Sequence, residues 1–239
     1  MTVSIATICD PSAGDLAEAI RQAKTYALAG AGFDVYLSRF LQGQCHPSRV
    51  QLPVIFRGLE VLEAITEQSK LLTLLRPFLR SSDPQIASKC VVVLGRRCQS
   101  LGWVKSVMAE VDDRIRANLV ESLWRRPEPE VELIMRSALR DSNPRVAANA
   151  TYGLYLLGST EYSAALDELT TSEEPGRRRC AIWVIRSIGA SEAAARIKTL
   201  IRDPDPAVRH AAFQAMVYIR EHPAKPQPAA GVAAAAAAA

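Results

Sequence analysis

The amino-acid sequence predicts an all-α fold, an α-solenoid of about five to six stacked helix-turn-helix repeats. Three observations support this prediction. A turn motif recurs at a nearly constant interval, an apolar stripe with helical period follows each turn, and the composition is that of a globular protein. A repeat of roughly 20 to 50 residues is typical of stacked arrays, in which each unit buries its apolar face against its neighbours.

The repeat is clearest in three segments that share an apolar run, an arginine, a short polar turn and a second apolar helix. They are PFLRSSDPQIASKCVVVL from Pro77, SALRDSNPRVAANATYGL from Ser137 and TLIRDPDPAVRHAAFQAM from Thr199. Weaker copies are MAEVDDRIRANLVESL from Met108 and ELTTSEEPGRRRCAIWVI from Glu168. The five copies align at intervals of 29, 31, 31 and 31 residues on the anchors Ile86, Ile115, Val146, Arg177 and Val208.

The turns carry the chemistry of helix starts. Each has an acid or an asparagine at the N-cap position: Asp83, Asp112, Asn143, Glu174 and Asp205. In four of the five, proline follows at the first helical position, where its missing N–H costs nothing. The second helix of each pair therefore begins at the turn, and its apolar stripe continues at helical spacing, as in Val146, Ala150 and Leu154.

This pattern divides the chain into three parts. Residues 1–32 are expected to form an N-terminal helical cap, residues 33–221 the repeat array, and residues 222–239 a flexible tail rich in Pro and Ala. Helix pairs are predicted at about 33–66, 69–99, 101–126, 129–158, 160–189 and 191–221. Their first helices are predicted at roughly 70–80, 101–110, 129–140, 160–171 and 191–202.

Composition narrows the functional class. The 239 residues are 49% hydrophobic and carry a net charge of +4, and no apolar run approaches the roughly 20 residues that span a bilayer. The N-terminal segment lacks the basic region of a secretion signal, and five cysteines without a CxxC pair suit a reducing compartment. We therefore expect a cytoplasmic protein with no membrane partner. A charge of +4 attracts nucleic acid only weakly.

The sequence predicts no catalytic site, cofactor or metal. The three histidines, His46, His210 and His222, lie outside any HExxH motif or His-Glu pair. Cys45 precedes His46, but adjacent residues rarely present both groups to each other and no third orienting group is evident. Nucleotide-binding loops and hydrolase motifs are absent from the sequence. We therefore do not expect an enzyme.

The turn-helix segment DPDPAVRHAAFQAM resembles the HEAT repeat, especially the short bacterial form related to the repeats of phycobilisome lyases. The resemblance covers about 70–221 well and 33–66 loosely. It implies a right-handed superhelix whose second helices line a concave surface that binds other macromolecules. The family's Val-Arg after the turn recurs as Ile115-Arg116 and Val208-Arg209. Because Arg177 replaces the apolar anchor, the fifth pair is expected to be distorted or specialised.

The turn acids and arginines have two interpretations. They could form an anion track, but stacking of turn on turn favours a structural ladder of caps and ion pairs, with Arg116, Arg178 and Arg209 as its cations. The run Arg177-Arg178-Arg179 opposes the dipole at the start of its helix. A solvated helix start explains the run, while a bound anion or acidic segment stays open.

One row of side chains points away from the apolar stripe. At about 100° per residue, offsets +2, +6 and +9 from the anchors lie opposite the core. These positions hold Trp124, Tyr152, Tyr155, Arg179, Trp183, Arg186 and His210. Aromatic rings and arginines on a solvent face are typical of an interaction surface. A register error of one residue, or a neighbouring first helix, would instead bury the rings.

The leading interpretation is a non-catalytic scaffold that binds a protein segment on its concave face, with an acidic segment as one candidate. One alternative is a DNA-binding enzyme similar to the HEAT-like alkylpurine DNA glycosylases. In that case Trp124, Trp183 and Arg179 would belong to its DNA-binding groove. The small net charge and the short repeats disfavour nucleic acid as the partner. The resemblance to phycobilisome lyases suggests a third function, that of a bilin-lyase-like chaperone for a tetrapyrrole.

Overall fold

The computed structural model describes residues 4–30, 32–45, 51–110, 112–124, 126–189 and 191–222. Every element in these ranges is a helix, which confirms the all-α fold class. The first eight are α1 (Ile5–Cys9), α2 (Leu16–Ala29), α3 (Phe33–Gln44), α4 (Leu52–Ile65), α5 (Gln68–Leu79), α6 (Pro84–Arg97), α7 (Val104–Met108) and α8 (Asp113–Ser122), with a 3-10 turn at Pro11–Ala13. The others are α9 (Pro129–Ala138), α10 (Pro144–Leu156), α11 (Glu161–Thr171), α12 (Pro175–Ile188), α13 (Ser191–Leu200) and α14 (Pro206–Glu221).

The chain divides into two compact units, residues 1–122 and 123–239. The boundary falls inside the helix pair predicted at 101–126. In the first unit α2, α4, α6 and α8 pack in succession, and α3, α5 and α7 pack against this row. In the second unit α10, α12 and α14 lie side by side, and α9, α11 and α13 form a second layer against them. Each unit is thus a stack of helix pairs.

The predicted stripe of the second unit forms its core. Val146, Ala150 and Leu154 of α10 are fully buried. The core continues through Ile185 of α12 and Val208 of α14, which belong to one cluster with side chains of α11 and α13. Helices of this length gain most of their stability from such packing and little from intrinsic propensity.

The helices agree with the predicted ones except in the third pair. The other first helices begin and end within two residues of their predicted bounds, whereas α7 covers only Val104–Met108 of the predicted 101–110. Gly102, a poor helix former, lies in the turn before α7. This short helix lies within the interval of 29 residues between Ile86 and Ile115. Within residues 1–32, predicted as a helical cap, α1 and α2 are helices, and the predicted tail lies outside the described residues from residue 223 onward.

Side-chain oxygens cap most of the turns. Asp83, Asn143 and Asp205 each accept the backbone N–H two residues later, at 2.8 to 2.9 Å, and Asp112 accepts from Arg114 at 2.8 Å. Glu174 makes no cap hydrogen bond, and its carboxylate lies 3.4 Å from Arg177. The turns contain a further set of hydrogen bonds that was not predicted from the sequence. Two residues before the N-cap, the side-chain oxygen of a Ser or an Asp accepts the backbone N–H of the N-cap residue. These residues are Ser81, Asp141, Ser172 and Asp203.

The arginine that follows the anchor closes its own turn. Arg116 donates to the Glu110 carbonyl at 2.6 Å, Arg178 to the Ser172 carbonyl at 2.7 Å, and Arg209 to the Asp203 carbonyl at 2.7 Å. The bond recurs six residues back each time, so it is a property of the repeat. Arginines at this position satisfy carbonyls that would otherwise lack donors in the turn.

A buried ion pair joins the fifth helix pair to the sixth. Arg178 donates through Nε and Nη2 to the two carboxylate oxygens of Asp203, at 2.7 and 2.8 Å. Both side chains are buried, and Asp203 also accepts the N–H of Asp205 at 2.9 Å. Forked pairing of this kind fixes both the distance and the orientation of the two turns.

Asp203→Ala is expected to lower the free energy of unfolding by about 2 kcal/mol, because it leaves buried donors of Arg178 without acceptors. Hydrogen bonds from Arg178 hold the pKa of Asp203 below its usual range. The stabilisation is therefore complete above the pKa of an unfolded aspartate, about 3.9, and is lost as the pH falls through the folded value. Urea unfolding at several pH values measures this effect.

The control is Asp167→Ala, which breaks the exposed pair between Asp167 and Arg196. Exposed pairs contribute about 0 to 1 kcal/mol, so this variant is expected to remain close to the wild type. If both variants lose the same stability at neutral pH, the buried pair has no special role.

The fifth pair is not distorted, so this part of the sequence-based expectation is wrong. Its second helix, α12, runs regularly over 14 residues. Arg177, at the anchor position, is half-buried and donates to the carbonyls of Asp141 and Ser142 in the preceding turn, at 3.0 and 3.3 Å. A long side chain that reaches the neighbouring turn thus replaces an apolar side chain in the core.

Candidate functional site

A groove of about 500 Å³ runs along α12 on the second-helix face of the unit 123–239. The start of α10 forms one wall and the middle of α14 the other. From α12 the lining includes Arg179, Cys180, Trp183 and Arg186; Asn143, Pro144 and Arg145 come from α10, and Ala211, Gln214 and Ala215 from α14. The groove has the size of a site for a small ligand or a few side chains.

The helical register of α12 sets the character of this groove. Arg179, Trp183 and Arg186 lie at i, i+4 and i+7, on one face of the helix. Arg179 and Arg186 are exposed, and Trp183 is half-buried. None of the described residues that line the groove is acidic. The site therefore combines an apolar floor with a positively charged rim.

The three arginines of the Arg177-Arg178-Arg179 run make different contacts. Arg177 bonds the preceding turn, Arg178 bonds its own turn and Asp203, and Arg179 lines the groove. Two of the three charges are thus used within the fold. Arg179 has no ion-pair partner among the described residues, which leaves its guanidinium available to a ligand.

Arg186 is held in place by an aromatic ring. Its guanidinium carbon lies 5.0 Å from the ring centroid of Tyr218 on α14, and Tyr218 stacks on His222 with ring centroids 4.3 Å apart. A guanidinium that stacks on a ring still presents N–H donors at its edge. Tyr218 therefore orients Arg186 without removing its capacity to bind a carboxylate.

The aromatic residues form a cluster beside the groove. The Trp124 ring lies 4.9 Å from Tyr152 and 6.1 Å from Trp183, centroid to centroid, and Tyr152 lies 5.6 Å from Trp183. Tyr155 connects Tyr152 to Tyr162 of α11. These separations are typical of favourable aromatic pairs.

The rings lie between the two interpretations of the sequence, one of an exposed interaction surface and one of burial against neighbours. Trp124, Tyr152, Tyr155 and Trp183 are all half-buried, and the last three pack against the apolar core of the unit. The indole N–H of Trp124 donates to the Asn149 carbonyl at 2.9 Å. Neighbouring packed helices lie about 8 to 10 Å apart, so large rings on adjacent second helices reach one another and exclude water.

Two titratable groups at this face stay in their neutral forms. Burial raises the pKa of the Tyr155 hydroxyl, which therefore remains a hydrogen-bond donor at neutral pH. Burial likewise raises the pKa of the Cys180 thiol in the groove. A protonated thiol is a weak nucleophile, so Cys180 contributes apolar surface to the groove.

The structure brings together most of the residues predicted to bind a partner. Arg179, Trp183 and Arg186 line one groove, and Trp183 also belongs to the aromatic cluster. His210 is exposed on α14 but does not line the groove. Contributors that the sequence analysis missed are Arg145, Gln214 and Tyr218. Arg145 immediately precedes its anchor, at about 260° on the helical wheel, close to the +6 row at about 240°, so the wheel contained the signal.

A second cavity, of about 460 Å³, lies in the unit 1–122 between α5 and the segment around α7. Arg76, Arg80 and Trp103 line it together with Glu110. None of the residues predicted to bind a partner lies there. An acid within the lining also gives it a weaker positive character than the groove on α12.

Two features are absent from the described residues, a metal-binding cluster and a membrane-spanning helix. The structure contains no group of three or more His, Cys, Asp or Glu side chains placed to hold a metal ion, within the ranges it describes. In the same ranges, no helix combines the length and the hydropathy that a membrane span requires.

Comparison with known proteins bears on the fold. The family model for HEAT repeats matches residues 101–182 and 162–237, which together make up more than half of the chain. Among solved structures, the chain is similar to human deoxyhypusine hydroxylase in complex with glycerol, at 16% identity and a TM-score of 0.37, over 90% of this chain and 94% of that one. A likeness this weak supports no conclusion about activity. No curated protein matches the sequence.

Proposed function

The chain belongs to the HEAT-repeat family, and from that premise we propose that it is a non-catalytic scaffold module. In this proposal the second-helix face of residues 123–239 binds a segment of a partner protein. Three finer points remain predictions from the sequence. They are the resemblance of the repeats to those of phycobilisome lyases, the bacterial origin and the cytoplasmic location.

The groove along α12 is the observation that carries the proposal. It places a large ring, Trp183, between two exposed arginines, on a face otherwise made of packed aromatic side chains. Tryptophan, tyrosine and arginine are the residue types that contribute most to binding energy at protein interfaces. The rings are also held rigid by their neighbours, which lowers the entropy that binding costs.

Nucleic acid is the main alternative partner, because the groove is positively charged. Single-stranded nucleic acids bind through bases that stack on exposed ring faces. The rings of Trp124, Tyr152 and Trp183 instead pack against one another. A glycosylase-like reaction also calls for an acid, and the groove lining contains none. These observations favour a protein partner. For the tetrapyrrole alternative, a visible absorption band of the purified protein would be the signature.

Charge reversal in the groove tests the proposal. The variant Arg179→Glu with Arg186→Glu is expected to retain at least tenfold less partner than the wild type in affinity capture from native-host extract. Because both side chains are exposed, its melting temperature is expected to stay close to that of the wild type. Quantitative mass spectrometry of the captured proteins provides the measurement.

The matched control is Arg140→Glu with Arg202→Glu, which makes the same change in net charge at exposed positions outside the groove lining. It is expected to capture the same partner as the wild type. Equal capture by all three proteins would contradict the assignment. If the protein instead captures nucleic acid, and its retention falls steeply with salt concentration, the partner would be nucleic acid.

A further inference from the structure

We propose that the groove on α12 selects an acidic segment, in which two carboxylates about 10 to 13 Å apart flank an apolar side chain that rests on Trp183. This inference builds on the proposed function and specifies the chemistry of the partner. It follows from the charge of the groove, the spacing of its side chains and the ring contacts of Arg186 and Trp183.

The groove brings arginines together without adding an acid to its lining. Several other arginines of residues 123–239 pair with acids: Arg136 with Glu161, Arg178 with Asp203, and Arg196 with Asp167. Along the groove the structure provides arginines without an acid in the lining. A carboxylate is the natural complement, since it accepts two parallel hydrogen bonds from a guanidinium.

The spacing defines the pattern of the partner. Arg179 and Arg186 are seven residues apart, which corresponds to about 10 Å along the helix axis, and Trp183 lies between them. In an extended segment successive side chains alternate between faces, so two acidic residues that face the groove together lie four positions apart, about 13 Å, a span that long arginine side chains also reach. In a helical segment they match it seven positions apart. In both cases an apolar residue between them faces Trp183.

Two of the three recognition groups, Arg186 and Trp183, contact neighbouring rings before any partner arrives. Arg186 lies over the Tyr218 ring, and Trp183 contacts both Tyr152 and Trp124. Preorganised side chains lose little rotamer freedom on binding, so a ligand that matches their geometry binds more tightly than one that does not. A nonspecific positive surface would not discriminate between spacings of the acids.

Fluorescein-labelled peptides test the inference with the full-length protein. One peptide has two Glu four positions apart with a Leu midway between them, and the other has two Glu seven positions apart in a helix-forming sequence with Leu between them. Matched peptides carry Gln in place of Glu, or Ala in place of Leu. Fluorescence anisotropy at low and moderate salt gives the affinities.

We expect at least one Glu peptide to bind tenfold or more tightly than its Gln and Ala counterparts. Arg179→Gln with Arg186→Gln is expected to remove this difference, and the control Arg140→Gln with Arg202→Gln to retain it. Exposed substitutions of this kind leave the fold intact, which thermal melting verifies.

Three outcomes would overturn the inference: no difference between Glu and Gln peptides at either spacing, equal losses in the groove and control variants, or tighter groove-dependent binding of a short single-stranded DNA. The proposed function fails separately. If capture of a protein partner still depends on Arg179 and Arg186 while the acidic peptides do not bind, the groove binds protein and only the acidic pattern is wrong.

Discussion

Trp124→Ala combined with Trp183→Ala is expected to lower the free energy of unfolding by about 4 kcal/mol. Truncation of a fully buried tryptophan costs about 3 to 5 kcal/mol, and each of these rings is half-buried, so we assign about 2 kcal/mol to each. The substitution also removes the donor to the Asn149 carbonyl and three ring contacts. Urea unfolding followed by far-ultraviolet circular dichroism measures the loss.

An exposed aromatic residue supplies the control. Tyr36 of α3 is 63% exposed, and Tyr36→Ala is expected to change stability by no more than about 0.5 kcal/mol. If the double tryptophan variant behaved like this control, the rings would stand in water and the aromatic cluster would not exist. Because these rings also stabilise the fold, binding is better tested by changes to the exposed arginines than by truncation of the tryptophans.

Removal of the last helix pair is expected to unfold the second unit. A chain that ends at Gly189 loses α13 and α14, which pack directly against α12. Buried apolar side chains of α12, including Ile185 and Ile188, would then face water, and Arg178 would lose Asp203. In a stacked array, stability comes largely from such contacts between neighbouring repeats. We expect aggregation, or a loss of helicity beyond that of the deleted residues.

A chain that ends at His222 is the control for this truncation, because the described core of the second unit extends no further than Ile219. It is expected to keep the melting temperature and the helicity of residues 1–222. Size-exclusion chromatography and circular dichroism compare the two truncations. A soluble and cooperatively folded chain ending at Gly189 would show that α12 does not depend on the last pair.

The parts of the fold that depend on local chemistry were predictable from the sequence. The N-cap residues and the prolines after them set the starts of α6, α10, α12 and α14, because capping involves only a few neighbouring residues. The boundary at Ser122 was not predictable, since it depends on packing between segments distant in sequence. The short α7 had a local signal in Gly102, which the predicted helix 101–110 did not take into account. The same holds for the Arg178–Asp203 pair, 25 residues apart.

The candidate site shows the same division. A helical wheel is a property of one helix, and it correctly grouped Arg179, Trp183 and Arg186 on one face of α12. The burial of Trp183 and the orientation of Arg186 arise from neighbouring helices, through Tyr152 and Tyr218. Their positions relative to α12 could not be obtained from the wheel of any single helix.

Photocross-linking from the groove tests the binding face most directly. A photoreactive phenylalanine analogue replaces Gln214, which lines the groove, and in a second protein it replaces Leu133, which is 60% exposed on α9 in the other helix layer. After irradiation in native-host extract, position 214 is predicted to give a discrete protein adduct that disappears with Arg179→Glu and Arg186→Glu, and position 133 to give none. The same adducts from both positions, or no adduct from position 214, would contradict the assignment of this face.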